Sequence, residues 1–292
     1  MDIRNVQKTG NMFYMYLPTN WCKKFAIDSD SKVEINTNSS GELIINPQPT
    51  EKKPRSIEIN LDETDLEIIN KIIVGCYINP ASSFKINLKE VLDQTQLLMQ
   101  KKLVSIELVE IEGKTIRCES SITIHEPELI LKTIINKIKN MILVITKNYN
   151  KELIEKYEEE IDRNRILIEK SIITALTFAQ QPKTKTINLY YISQISRDLE
   201  RIADYLIQID PKDLEFFEIV KKRIGVLGEL VEMIFKNENF DIKKAIIFSK
   251  EVLSMEKFEI NNLESYYKNR VREYLENISD TLIDIAITQK VE

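Results

Sequence analysis

Leu199-Glu200-Arg201-Ile202-Ala203-Asp204 and Leu275-Glu276-Asn277-Ile278-Ser279-Asp280 are two versions of one pattern. In each, a Glu and an Asp four residues apart ride beside an apolar stripe, so both carboxylates share one face of a helix. The first stripe is Ile192, Ile195, Leu199, Ile202, Leu206 and Ile209; the second is Val271, Leu275, Ile278, Leu282 and Ile285. At about 100° per residue, Glu200 and Asp204 project away from the stripe, which predicts accessible carboxylates. Glu276, Asp280 and Asp284 form a file of three on the second helix.

Beyond Pro127 glycine and proline become rare and the sequence is helical in pattern. Leu129, Ile130, Ile134, Ile135, Ile138, Met141, Ile142 and Ile145 mark one helix, and Lys147-Asn148-Tyr149-Asn150 breaks it. A second helix is predicted over Lys151 to Phe178, and Gln180-Gln181-Pro182 interrupts it. A third runs from about Thr184 to Ile209, before Asp210-Pro211. The plan then repeats, with Lys236-Asn237-Glu238-Asn239 standing where Lys147 to Asn150 stood, although the second interval is shorter than the first. The expectation is two three-helix units, 127–209 and 212–289, packed as antiparallel bundles.

Like charges at i and i+4 destabilise a helix by about 0.2 to 0.5 kcal/mol, so their recurrence in two corresponding helices asks for a cause. A hard divalent cation or an iron-type ion supplies one. It wants about six oxygen ligands, and one helix offers two or three, so a neighbouring helix or water must contribute. Glu158 and Asp162 repeat the spacing on the second helix and complete the candidate set of Glu200, Asp204, Glu276 and Asp280. Their counterpart is expected at Met255 to Glu259, which lacks the first carboxylate. The same spacing also fits a solvated face neutralised by Arg197, Arg201 and Arg272 as surface ion pairs.

The other end of the chain reads as β-rich. Met12-Phe13-Tyr14-Met15-Tyr16-Leu17 is an apolar run stopped by Pro18, and Asn20 to Phe25 suits a short helix. Lys32 to Asn36 alternates, Ser39-Ser40-Gly41-Glu42 supplies turn chemistry, and Leu43-Ile44-Ile45 closes a hairpin. So small a β module buries too little surface alone, and a second copy is expected to complete it. Three prolines and clustered charges in Pro47 to Pro54 mark a boundary. Beyond it, a strand at Ser56 to Asn60, a helix over Asp62 to Cys76 and a strand at Ser83 to Ile86 come first. A helix over Lys89 to Leu98 and strands at Ser105 to Ile111 and Thr115 to Ile124 follow, giving a βαβαββ middle domain over 55–125.

Composition narrows the chemistry. With 292 residues, 43% of them apolar, the chain can bury several cores, and a net charge of −5 gives no global basic field for nucleic acid. Cys22, Cys76 and Cys118 lack metal-type spacing and fit reduced thiols in a cytoplasmic protein. The amino terminus carries no apolar signal segment, and no apolar run is long enough to insert in a membrane. One histidine, His125, sits beside Glu126 and Pro127 as a linker residue, with no Ser or Cys nucleophile in a recognisable setting, so catalysis by a His-based triad has no support and the chain is read as not an enzyme.

The two Glu-x-x-x-Asp hexapeptides resemble the signature of the PhoU family of phosphate-uptake regulators. The resemblance spans about 127 to 290, with Asn277, Ser279 and Met255 as departures. It implies tandem three-helix bundles whose carboxylate faces bind metal. Val6-Gln7-Lys8-Thr9-Gly10, Leu17-Pro18 with Trp21, and Val33-Glu34-Ile35 resemble the AbrB/SpoVT swapped-hairpin domain, as found ahead of PhoU repeats in archaeal regulators. Asn11, Met12 and Thr19 depart from that pattern. This second resemblance implies a dimeric barrel over 1–47 that binds DNA, with Arg4, Lys8, Lys23 and Lys24 as phosphate contacts. Trp21, Phe13, Tyr14 and Tyr16 are assigned to its core. The expected function is a phosphate-homeostasis regulator acting on transcription as a homodimer. The alternative is an adaptor docking on a phosphate transporter ATPase or a sensor kinase, with a barrel that only dimerises.

Overall fold

The computed structural model describes residues 3–37, 41–47, 56–79, 83–91, 109–119, 126–178, 185–236 and 240–291. The chain forms two compact units, Met1–Lys53 and Pro54–Glu292. Outside the described residues lie 92–98 of the expected helix over 89–98, the outer parts of the expected strands at 105–108 and 120–124, His125, most of the 47–54 linker, Gln180 to Pro182, and Asn237 to Asn239.

In the first unit β1 (Gln7–Thr9) pairs antiparallel with β2 (Met12–Tyr14), and β3 (Glu34–Thr37) with β4 (Leu43–Asn46), as two separate two-stranded sheets. Between them α1 (Thr19–Lys24) follows Pro18. The expected strand of Met12 to Leu17 stops at Tyr14, and β1 is a short polar strand that hydrophobic alternation did not signal. No closed barrel forms among the described residues of one chain. None of those residues is buried, and Met12, Phe13, Tyr16, Ile35 and Leu43 are exposed.

The second unit opens with a four-stranded sheet ordered β5-β6-β8-β7: β5 (Ser56–Leu61), β6 (Ser83–Leu88), β7 (Val109–Glu112) and β8 (Thr115–Glu119). β5 and β6 run parallel, joined through α2 (Leu66–Ile78), and the remaining pairs are antiparallel. Asp65 caps α2 by accepting from the Glu67 and Ile68 amides, which starts the helix later than its acidic run suggested. Ile69, Ile73 and Tyr77 of α2 cover Phe84, Ile86 and Ile116 of the sheet. The opposite face is a polar ladder in which Glu58 accepts from Lys85 and from Asn87, each at 2.9 Å.

Six helices complete this unit: α3 (Pro127–Lys147), α4 (Lys151–Phe178), α5 (Thr186–Leu206), α6 (Leu214–Lys236), α7 (Ile242–Leu253) and α8 (Leu263–Val291). Pro127 occupies the first turn of α3, where its missing N–H costs nothing. The two three-helix units share one core, because like packs on like: α3 lies against α6, and α5 against α8. Gly228 of α6 lets the backbones approach, since a Cβ there would stand 3.3 Å from Ile135 Cγ2. Tyr205 of α5 stacks on Tyr274 of α8 at 6.0 Å, under the Arg270 guanidinium.

α4 serves two cores. Its Ile161, Ile168 and Ile172 enter the bundle, whereas Ile166 belongs to the core under α2. Buried Lys170 sets its ammonium 3.8 Å from the Tyr77 ring centroid. This contact joins the sheet layer to the helices.

Candidate metal centre

α4 and α5 pack side by side and bring the carboxylates of the first repeat together. Asp162, Glu200 and Asp204 each place an oxygen within 4.8 Å of the others. Glu158, one turn before Asp162, lines the same cavity with Arg165, Arg197 and Arg201; its volume is about 460 Å³. Ligand oxygens on opposite sides of a hard cation are about 4 to 5 Å apart, twice the metal–oxygen distance, so this donor set fits a hard divalent or iron-type ion after a slight closure. Three carboxylates leave positions for Glu158 or water.

The expectation that Glu200 is accessible is corrected: it is 7% exposed. The apolar stripe of α5 faces α3 and α8, and α4 then covers the adjoining face on which Glu200 projects. Burial beside like charges is costly, and two arginines offset part of it. Arg165 Nε stands 3.7 Å from Glu200, Arg201 Nε 3.5 Å from Glu200, and Arg201 Nη1 3.5 Å from Asp204. Strong charge-assisted hydrogen bonds span roughly 2.7 to 2.9 Å, so these arginines face the acids at looser range. Arg165 was not singled out from sequence, although it lies three residues after Asp162 on the same helix face; it is also held by Glu169 at 2.8 Å.

Asp204 records the crowding. Burial, then Glu200 and Asp162, push its carboxyl up to about 7, against the pull of Arg201. Residues 130–209, which take in both helices that line this cavity, match the PhoU domain family. No curated protein and no solved structure matches the chain. The PhoU domain match agrees with a helical bundle and with a role in phosphate homeostasis.

The second repeat is built differently. Glu276 lies on α8 with Arg272 Nη2 at 2.6 Å, and Asp280 is exposed. Among the described residues no third acid joins them in a metal-type cluster. Met255 to Glu259, the expected counterpart of Glu158 and Asp162, follow the end of α7 as irregular chain. Asn150 caps the start of α4 through the Leu153 amide, and Asp241 caps α7 through that of Lys244. Aligning the caps pairs Glu158 with Ser249 and Asp162 with Leu253, so neither carboxylate has a counterpart.

Arg4, Lys8, Lys23 and Lys24 are all exposed in the first unit. Lys8 lies 5.3 Å from the Phe13 ring centroid and Lys24 5.4 Å from that of Phe25. Among the described residues no helix is long and apolar enough to cross a membrane.

Proposed function

We propose that the chain is a non-catalytic regulator of phosphate homeostasis in the cytoplasm, whose first helical repeat senses a metal ion and whose first unit dimerises and binds DNA. The observation that carries this reading is the PhoU domain match over the helices that gather Asp162, Glu200 and Asp204. These three residues would hold the ion, with Glu158 beside them. A bound cation supplies positive charge where three carboxylates converge and ties α4 to α5. Before it binds, Arg165 and Arg201 moderate the repulsion, and a proton on Asp204 removes one charge.

For the first unit the support is its apolar surface. An aromatic and aliphatic face without any buried residue calls for a partner surface, and a swapped-hairpin barrel made with a second chain supplies it. Pairing would double the set of Arg4, Lys8, Lys23 and Lys24, concentrating positive charge despite the acidic total. Genome-wide crosslinking and DNA recovery at high and low phosphate tests the reading. Occupancy beside phosphate-uptake genes that changes with phosphate is expected. Lys8→Ala and Lys24→Ala should weaken binding and each lower the salt slope by about 1. Absence of selective DNA retention would move the role to an adaptor that docks on a transporter ATPase or a sensor kinase.

A further inference from the structure

The two repeats solve the same electrostatic problem in different ways. Corresponding stripes on α5 and α8 pair Glu200 with Glu276, Asp204 with Asp280 and Ser196 with Arg272. In the first repeat, fully buried Ser196 carries no charge, and the nearest guanidiniums stand 3.5 and 3.7 Å from Glu200. In the second, Arg272 grips Glu276 at 2.6 Å with its own side chain only 13% exposed. A second donor of that guanidinium is also engaged: Nε donates to the Met255 carbonyl oxygen at 3.1 Å. Met255 is the buried residue just past α7, at the start of the connection that replaces the longer second half of α4. Farther along the connection, Asn269 accepts from the Phe258 amide and donates to its carbonyl.

We infer that Arg272 is the built-in cation of the second repeat: it closes the Glu276 and Asp280 pair to metal and clasps the 254–262 connection onto α8. The helix opposite supports this. Where Glu158 and Asp162 stand on α4, α7 has Ser249 and Leu253, and the Ser279 hydroxyl beside Asp280 meets Ser249 Oγ at 3.4 Å. A cation arriving there would find two carboxylates, one already neutralised, and among the described residues no third acid clustered with them. A half-buried guanidinium deprived of Glu276 would in turn lose its counter-charge, so the pair resists opening from both sides. The chain would therefore take up metal in one repeat, the one that Ile166 and Lys170 tie to the sheet layer.

The stoichiometric part rests on the metal reading of the first repeat; the clasp does not. The test uses the full chain, Mn²⁺ as the probe, and hydrogen exchange at the Met255 and Phe258 amides. The wild type is expected to bind one Mn²⁺, lost in Glu200→Gln and retained in Glu276→Gln. Arg272→Ser should speed exchange at both amides about tenfold or more. Arg272→Lys, which keeps a cation near Glu276 but lacks the second donor, should speed exchange while leaving one Mn²⁺ bound. Two bound ions in the wild type, one of them lost in Glu276→Gln, would overturn the proposal, as would unchanged exchange in Arg272→Ser. No Mn²⁺ uptake together with faster exchange in Arg272→Ser would remove the metal reading of the first repeat and leave the closure of the second in place.

Discussion

Asp204 titrates where it matters physiologically. Its carboxyl is raised to about 7 from 3.8 by burial, Glu200 and Asp162, so the fold favours the protonated form. Its stabilising contribution is full below the unfolded value and is lost as pH rises through about 7. Asp198, raised to about 6 chiefly by burial, acts in the same direction. Metal-free protein should therefore melt at progressively lower temperature from about pH 4 to about pH 7 and level off above that, and Asp204→Asn should flatten the slope. Because the proton must leave before an ion is coordinated, Mn²⁺ affinity should rise with pH up to about 7 and level off above it. The juxtaposition of Glu158 and Asp162 with Glu200 and Asp204 was legible from i, i+4 spacing. The burial of Glu200 was not, since a helical wheel cannot say that a second neighbour covers the flank of the stripe. Arg165 escaped for the same reason: its contact with Glu200 crosses between helices.

At the scale of elements, long periodic helices were the most readable part of the chain. α3, α4 and α5 follow their apolar periodicity, and Asp65, Asn150 and Asp241 cap helices through their own side chains. Replacing Asp241 with Ala should cost about 1 kcal/mol, measured by chemical denaturation. The brevity of α7 was not readable, because Lys250 to Phe258 keeps enough apolar residues to continue a helix on pattern alone. The double allegiance of α4 was equally hidden: Ile166 and Ile168 look alike in sequence, yet one enters the sheet layer's core and the other the bundle's. Ile166→Ala should cost about 2 to 5 kcal/mol, as an aliphatic truncation in a filled core does. It should also raise the reactivity of Cys76 and Cys118, both buried in that layer, toward a thiol reagent. Unchanged labelling would separate Ile166 from the layer's stability.

At the scale of the whole molecule, the first unit carries an exposed apolar surface, and the second holds a single six-helix core with a sheet layer attached. Alternation and turn residues located the hairpins of the first unit, but three-residue β1 is too short and polar to signal itself. Phe13→Glu combined with Ile35→Glu should leave the helical unit folded and shift the chain from dimer to monomer in sedimentation, with loss of DNA retention. A persistent dimer would place the contact elsewhere.

The proposed function turns on the carboxylate cluster of Asp162, Glu200 and Asp204, and calorimetric titration of the full chain with Mn²⁺ tests it most directly. Asp204→Asn is expected to weaken binding at least about tenfold, as loss of a charged ligand from a small oxygen set does, whereas Asp280→Asn should bind as the wild type does. Equal affinity in the wild type and Asp204→Asn would contradict a metal centre built from Asp162, Glu200 and Asp204.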